Sequence, residues 1–167
     1  MIAFRIPACD KSEIKGFHIY AAHSDSPAFK IKENPEMNQA EVYVGINTEK
    51  YGGMILSTWM DRPLTIAGRV CVENNGKICS YLVTLKDNIC MIPNLAIHMN
   101  RDMNNGVALN PQKDMIPLLM MEEEGEDSKT IKAMLAEELS RQTGEKYDAQ
   151  DILAADLFVE NSEKAVL

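Results

Sequence analysis

Several features are missing from this chain, and each absence narrows what it can be. Its four cysteines, Cys9, Cys71, Cys79 and Cys90, form no C-x-x-C pair, so neither a zinc ribbon nor a redox pair is encoded. No apolar run approaches the roughly 20 residues that cross a bilayer as a helix, which excludes a helical membrane span. Lysine and arginine form no cluster and the net charge is −8, so a nucleic-acid backbone is not an expected partner. The start, MIAFRIP, lacks the basic region and long apolar core of a secretory signal. Together with the cysteine usage, this leads us to expect a reduced, cytoplasmic protein.

What is present is a balance of 46 % apolar and 25 % charged residues over 167 positions. That is the make-up of a soluble globular domain, with room for a small appendage. The charge is uneven. Residues 1–121 carry 12 acids and 12 bases, whereas residues 122–167 carry 13 acids and 5 bases. The last third reads as a solvated acidic appendage on a neutral body.

Strand-like segments dominate the first two thirds. Residues 2–6, 17–22 (FHIYAA) and 28–32 (AFKIK) have the aromatic, β-branched or alternating character that strands prefer. A chain that starts inside a strand-like segment suggests a piece of a longer protein. Residues 33–41 (ENPEMNQAE) read as a loop, 42–46 as a strand, and Tyr51-Gly52-Gly53 as a break. Residues 54–59 and 64–73 read as strands around an Asp61-Arg62-Pro63 turn. Asn75-Gly76 is a hairpin signal, because both residues tolerate the positive φ of a type I′ turn. Residues 77–85 would return, and 89–92 would add a short strand, giving a β-meander.

The hairpin predicts that Asn74 faces Lys77, Val72 faces Cys79 and Cys71 faces Ser80. Cys71 and Cys79 would then lie on opposite faces and could not be bridged. Residues 93–117 read as loop with one short ordered piece. Residues 127–143 form the clear helix, with Asp127 or Ser128 as cap, Ile131, Met134, Leu135 and Leu139 as its apolar stripe, and Gly144 closing it. Glu122 to Glu124 with Glu126 read as a solvated loop, and 156–160 as a last strand. The 11 methionines read as core or interface filling.

Chemistry concentrates at His23-Ser24-Asp25, after FHIYAA and before a proline turn. Imidazole is a ready zinc ligand. A ligating imidazole wants its second nitrogen held by an acceptor, and an Asp two positions on can supply one. By spacing alone, the tripeptide is equally a polar turn whose His is satisfied by hydrogen bonds.

The segment AHSDSPAFKIK at 22–32 resembles the H-T-D-S-P stretch of the aspartyl aminopeptidase family of zinc metallopeptidases. Tyr51-Gly52-Gly53 followed by WMDRPLTIAGRV at 59–70 resembles the family's Y-G-G-G…W-x-D-R-x-L-x-x-A-G-R-V. Residues 92–98 (IPNLAIH) resemble its I-P-x-L-A-I-H. The resemblance implies an α+β, β-rich chain. Part of an α/β catalytic sheet would lie in residues 1–40 and an inserted β-meander dimerisation domain with one clear helix in 41–155. Residues 156–167 would return to the catalytic domain.

The same resemblance implies an aminopeptidase that removes the N-terminal residue of peptides, with two metal ions, usually zinc. It further implies a homo-oligomer, a dimer that assembles up to a dodecamer. His23 matches a metal ligand, Asp25 the catalytic carboxylate that orients it, and His98 a substrate-contacting His that reaches a neighbouring subunit. Read by itself, His98 is also a surface residue on a polar strand face with Asn94 and Asn100. The family's R-L-D-N and E-E-x-G-S segments and its C-terminal His, which hold the other ligands and the general base, have no match in these 167 residues. The expectation is therefore a fragment inactive by itself. The alternative is a dimerisation and assembly module with no catalysis or metal binding of its own.

Overall fold

The computed structural model describes residues 2–74, 76–121 and 130–163, with Met120 and Met121 as backbone only. Among them, β1 (Ala28–Gln39), β2 (Tyr43–Tyr51), β3 (Leu64–Asn74), β4 (Lys77–Thr84), β5 (Leu118–Met121) and β6 (Ile152–Asn161) pair into one antiparallel sheet. Its order is β4-β3-β6-β1-β2-β5. One helix, α1 (Ile131–Thr143), completes a β-rich α+β fold. None of the described helices is long and apolar enough to cross a membrane.

The β3–β4 hairpin pairs Asn74 with Lys77, Val72 with Cys79 and Cys71 with Ser80, the register expected from Asn75-Gly76. Asn75 itself lies outside the described residues. Alternation does the sorting. Leu64, Ile66, Val70 and Val72 of β3 face the core, while Arg69 and Glu73 face water. Phe29, Ile46, Leu157 and Val159 join them from β1, β2 and β6. Burying each such side chain contributes roughly 1.5–3 kcal/mol before ordering costs.

The helix lays Ile131, Leu135 and Leu139 into this core, with Met134 packed at its margin. It begins four residues later than expected. Thr130 caps it, its Oγ1 accepting from Ala133 N at 3.2 Å, and Glu36 Oε1 accepts from Ile131 N at 2.8 Å. These two acceptors satisfy donors that the first turn cannot pair internally. Asp127 and Ser128, and the acidic run at 122–126, lie outside the described residues. Gly144 closes the helix in the left-handed conformation, at φ 78.

Four local expectations are corrected. Residues 33–39 are strand, not loop, because β2 pairs residues 36–39 and the strand runs on through an irregularity from Ile31. Pro35, which has no N–H to give, sits in the irregularity where the register passes from Ile31 opposite Thr48 to Glu36 opposite Ile46. Residues 54–59 are no strand: Leu56–Trp59 forms a 3-10 turn that seats Trp59 edge-on against Phe29, centroids 5.2 Å apart. The neighbouring β2 is already paired on both sides, by β1 and β5.

Residues 2–6 and 17–22 join no ladder. Ile2, Phe4, Ile6, Phe17, Ile19 and Tyr20 are 70–94 % exposed. Apolar, β-branched character makes a segment fit a sheet but does not provide a partner edge. The meander is also replaced. β6 separates β3 from the β1–β2 hairpin, and the 89–92 segment bridges back to β3 through Leu64 and Cys90. The expected segment boundaries at 40/41 and 155/156 fall at the β1–β2 turn and inside β6, so all three segments contribute to one sheet.

All four cysteines are free. Cys71 Sγ meets Ser80 Oγ across the hairpin at 3.2 Å. Cys90 is buried, and burial pushes its thiol up to about 12. Only the thiolate alkylates, so at pH 8 Cys90 should react on the order of a thousandfold more slowly in the native protein than in urea. Mass-resolved iodoacetamide labelling reads this, and equal rates would contradict the burial.

Candidate functional site

The segment leading into β1 carries His23 and Asp25. The β1–β2 register sets Ala28 opposite Tyr51, so the end of β2 reaches back towards this segment. The Tyr51 hydroxyl donates to Asp25 Oδ2 at 2.8 Å. His23 Nδ1 lies 3.2 Å from Asp25 Oδ1 and 3.0 Å from the Asp25 main-chain carbonyl. Both partners are acceptors. Nδ1 therefore donates in this arrangement, and in the neutral ring Nε2 is the nitrogen with the lone pair.

The three side chains form a chain of contacts at the surface: phenol to carboxylate to imidazole. The His23 side chain is 85 % exposed and that of Asp25 58 %, so water screens the pair and it adds little to stability. The Tyr51 hydroxyl, the Asp25 main chain and His23 hold the Asp25 carboxyl below its ordinary value. The same bond raises the Tyr51 phenol above its own.

Tyr51 is anchored in turn. Its ring meets Phe158 of β6 edge-on, centroids 6.4 Å apart, and Lys30 Nζ sits 5.8 Å from the Phe158 centroid and 3.0 Å from Asp156 Oδ1. Residues of β1, β2 and β6 thus form the floor from which Tyr51 reaches Asp25. Reading the sequence missed Tyr51 as a site residue. The only available signal was its place at the head of the Tyr-Gly-Gly motif.

An imidazole with one nitrogen held by a carboxylate and the other free has the geometry of a metal ligand supported from behind. Among the described residues, no three His, Cys, Asp or Glu stand together so as to hold a metal ion. Zinc needs three or four protein donors. The pair therefore fits one corner of a metal centre and does not make a complete one.

His98 lies elsewhere, in an exposed turn. Met99 N and Asn100 N both donate to Ala96 O, at 2.8 and 3.2 Å, which folds residues 96–100 back on themselves. The strand face shared with Asn94 and Asn100 does not form. The WMDRP and IPNLAIH motifs do meet: Met60 bridges Ile92, Asp61 N donates to Ile92 O at 2.9 Å, and Asp61 Oδ1 accepts from Asn94 N at 2.8 Å. No hydrogen bond or ion pair among the described residues links His98 to the His23–Asp25 pair.

The family model described as "Aminopeptidase I zinc metalloprotease (M18)" matches residues 1–167. A "Probable M18 family aminopeptidase 2" of Clostridium acetobutylicum is 45 % identical over 156 residues, 92 % of this chain and 35 % of the relative. The solved structure described as "Cryo-EM structure of the Ape4 and Nbr1 complex" is 32 % identical with a TM-score of 0.79, covering 87 % of this chain and 30 % of that one. "Structure of S. cerevesiae mApe1 dodecamer" shares the fold at 22 % identity and a TM-score of 0.57, over 85 % of this chain and 30 % of that one. The chain spans about a third of the length of the curated relatives it matches, 35 % and 34 % for two clostridial ones. With the family model covering it from end to end, the chain belongs to the M18 family of aminopeptidase I zinc metalloproteases.

Proposed function

We propose that this chain is the ligand-bearing part of a longer, cytoplasmic, zinc-dependent aminopeptidase that removes the N-terminal residue of peptides. The carrying observation is the imidazole of His23, clamped through Nδ1 by Asp25 with Nε2 left free. In this reading His23 ligates the metal through Nε2, Asp25 holds the ring, and His98 contacts the peptide. Zinc, when bound, supplies a Lewis acid that activates water and polarises the scissile carbonyl. The relatives named as M18 aminopeptidases support the reaction class.

Residues 2–27, which add no strand to the sheet, are assigned to the catalytic body. Residues 28–161, whose strands share one sheet, form the lobe that mediates self-association, chiefly through 41–117. The dodecamer among the structural relatives supports a homo-oligomer.

The 167-residue chain alone should be inactive. An aminopeptidase assay with added zinc, manganese or cobalt is expected to give no turnover above a His23→Ala control. Turnover above that control would mean that a complete centre is present. Zinc titration of the same pair of proteins separates this reading from a pure assembly module. Sedimentation tests the lobe, and a monomer at high concentration would count against self-association.

A further inference from the structure

Asp61 stands at φ 56, a left-handed conformation that residues with a Cβ seldom adopt and that Asp tolerates better than most. Two bonds converge on it. Its N–H donates to Ile92 O at 2.9 Å, and its carboxylate Oδ1 accepts from Asn94 N at 2.8 Å. Pro93, between the two, has no N–H. The Asn94 amide is therefore the first donor after Ile92 with which the segment can be tied down.

Asn94 Oδ1 then accepts from Leu95 N at 2.9 Å, and the chain leaves directly into the turn at 96–100 that presents His98. The Asp61 carboxylate is thus a fixed point between the body of the sheet, which begins three residues on at Leu64, and an exposed turn. Leu95 just before that turn and Ile97 and Met99 within it are 48–75 % exposed and give it little packing to hold its direction.

We propose that Asp61 is a positioning residue: its carboxylate aims the His98 turn by holding the Asn94 amide. The proposal rests on His98 being a substrate contact. Two variants test the acceptor, one removing it without straining the left-handed backbone and one keeping it. Asp61→Gly relaxes the backbone and removes the acceptor. Asp61→Asn keeps an acceptor oxygen and a side chain that tolerates this conformation.

The test has two arms. In the 167-residue chain, the Asn94 amide should exchange with solvent about tenfold faster or more in Asp61→Gly, and near the parent rate in Asp61→Asn. In the product of the complete reading frame, Asp61→Gly should raise KM several-fold with kcat little changed. Asp61→Asn should restore KM, and Asp61→Gly added to His98→Ala should raise KM no further than His98→Ala alone.

An unchanged Asn94 exchange rate in Asp61→Gly overturns the proposal. So does a KM that rises in His98→Ala but not in Asp61→Gly, or one that rises additively in the double variant. If His98→Ala itself leaves KM unmoved, the reading of His98 falls and the positioning role falls with it. The exchange arm then still reports whether the tether exists.

Discussion

Replacing Gly68 with alanine is expected to destabilise the protein more than any other single-methyl addition at a described glycine. Gly68 lies in β3 between two partners, opposite Val83 of β4 and Leu157 of β6. A Cβ at this position would fall 2.1 Å from the Asp156 carbonyl oxygen and 2.9 Å from Leu157 Cα. Both are backbone atoms, so no rotamer change makes room. Relief requires β6 to move away from β3, and β6 is the strand that joins the β3–β4 hairpin to the β1–β2 hairpin.

The adjoining core residues Ile66, Val70 and Val159 are fully buried and would lose packing together. Overpacking of this kind costs about 1–3 kcal/mol and sometimes more. A central site with backbone on the far side belongs at the top of that range, a large share of a typical 5–15 kcal/mol stability. Gly53→Ala is the control. An added Cβ there meets nothing within 4 Å, so the change should lie within about 0.5 kcal/mol and on the stabilising side. Urea unfolding of the two variants reads both. Equal midpoints would mean that the close approach of β3 and β6 is wrong. A lower midpoint for Gly68→Ala would mean instead that the glycine of the A-G-R-V stretch lets two strands lie close, which is a demand of the sheet and not of the active site.

Local pattern and long-range pairing differ in how far the sequence reveals them. The β3–β4 register could be read because Asn75-Gly76 defines the turn, and a two-residue turn leaves one register. The α1 stripe could be read because Ile131, Leu135 and Leu139 recur at helical spacing. The position of β6 could not: nothing within 152–161 says that it enters between β1 and β3 instead of continuing from a neighbour. The strand at 33–39 was hidden for the same reason, since its polar residues are held by pairing with β2. FHIYAA is the converse, with strand character and no edge to meet.

At the site, His23 and Asp25 are two residues apart and were legible together. Tyr51, 26 residues from Asp25, enters only through the pairing of Ala28 with Tyr51. The tie between Asp61 and Asn94, 33 residues apart, likewise exists only once the sheet is formed.

The contact chain from Tyr51 through Asp25 to His23 makes an ordered prediction for metal affinity in the product of the complete reading frame. If His23 ligates the metal as proposed, His23→Ala removes a donor and should cause the largest loss, because the remaining groups cannot fill its position. Asp25→Ala leaves the donor and the main-chain carbonyl bond to Nδ1 but removes the carboxylate, so the ring's orientation and tautomer are held less firmly and Nε2 is presented less well. Loss of such a supporting acceptor costs about 10–100-fold in metal affinity or activity. Tyr51→Phe leaves both His23 and its carboxylate and removes only the bond that fixes the second carboxylate oxygen. Its effect should be smaller than that of Asp25→Ala, within about tenfold, since other contacts to the carboxylate persist.

Tyr51→Phe should leave thermal stability nearly unchanged, because the phenol is half exposed and its ring can keep its place against Phe158. Chelator competition against a zinc indicator measures the affinities, and the melting temperature shows whether a variant merely unfolds. The order His23, Asp25, Tyr51 at constant melting temperature follows from a ligand with two successive supports behind it. Equal losses from Tyr51→Phe and His23→Ala would place the phenol on the metal instead of behind the carboxylate. No loss in His23→Ala would remove the imidazole from the metal centre altogether, leaving the three side chains as a surface hydrogen-bond chain at the mouth of the β1–β2 hairpin.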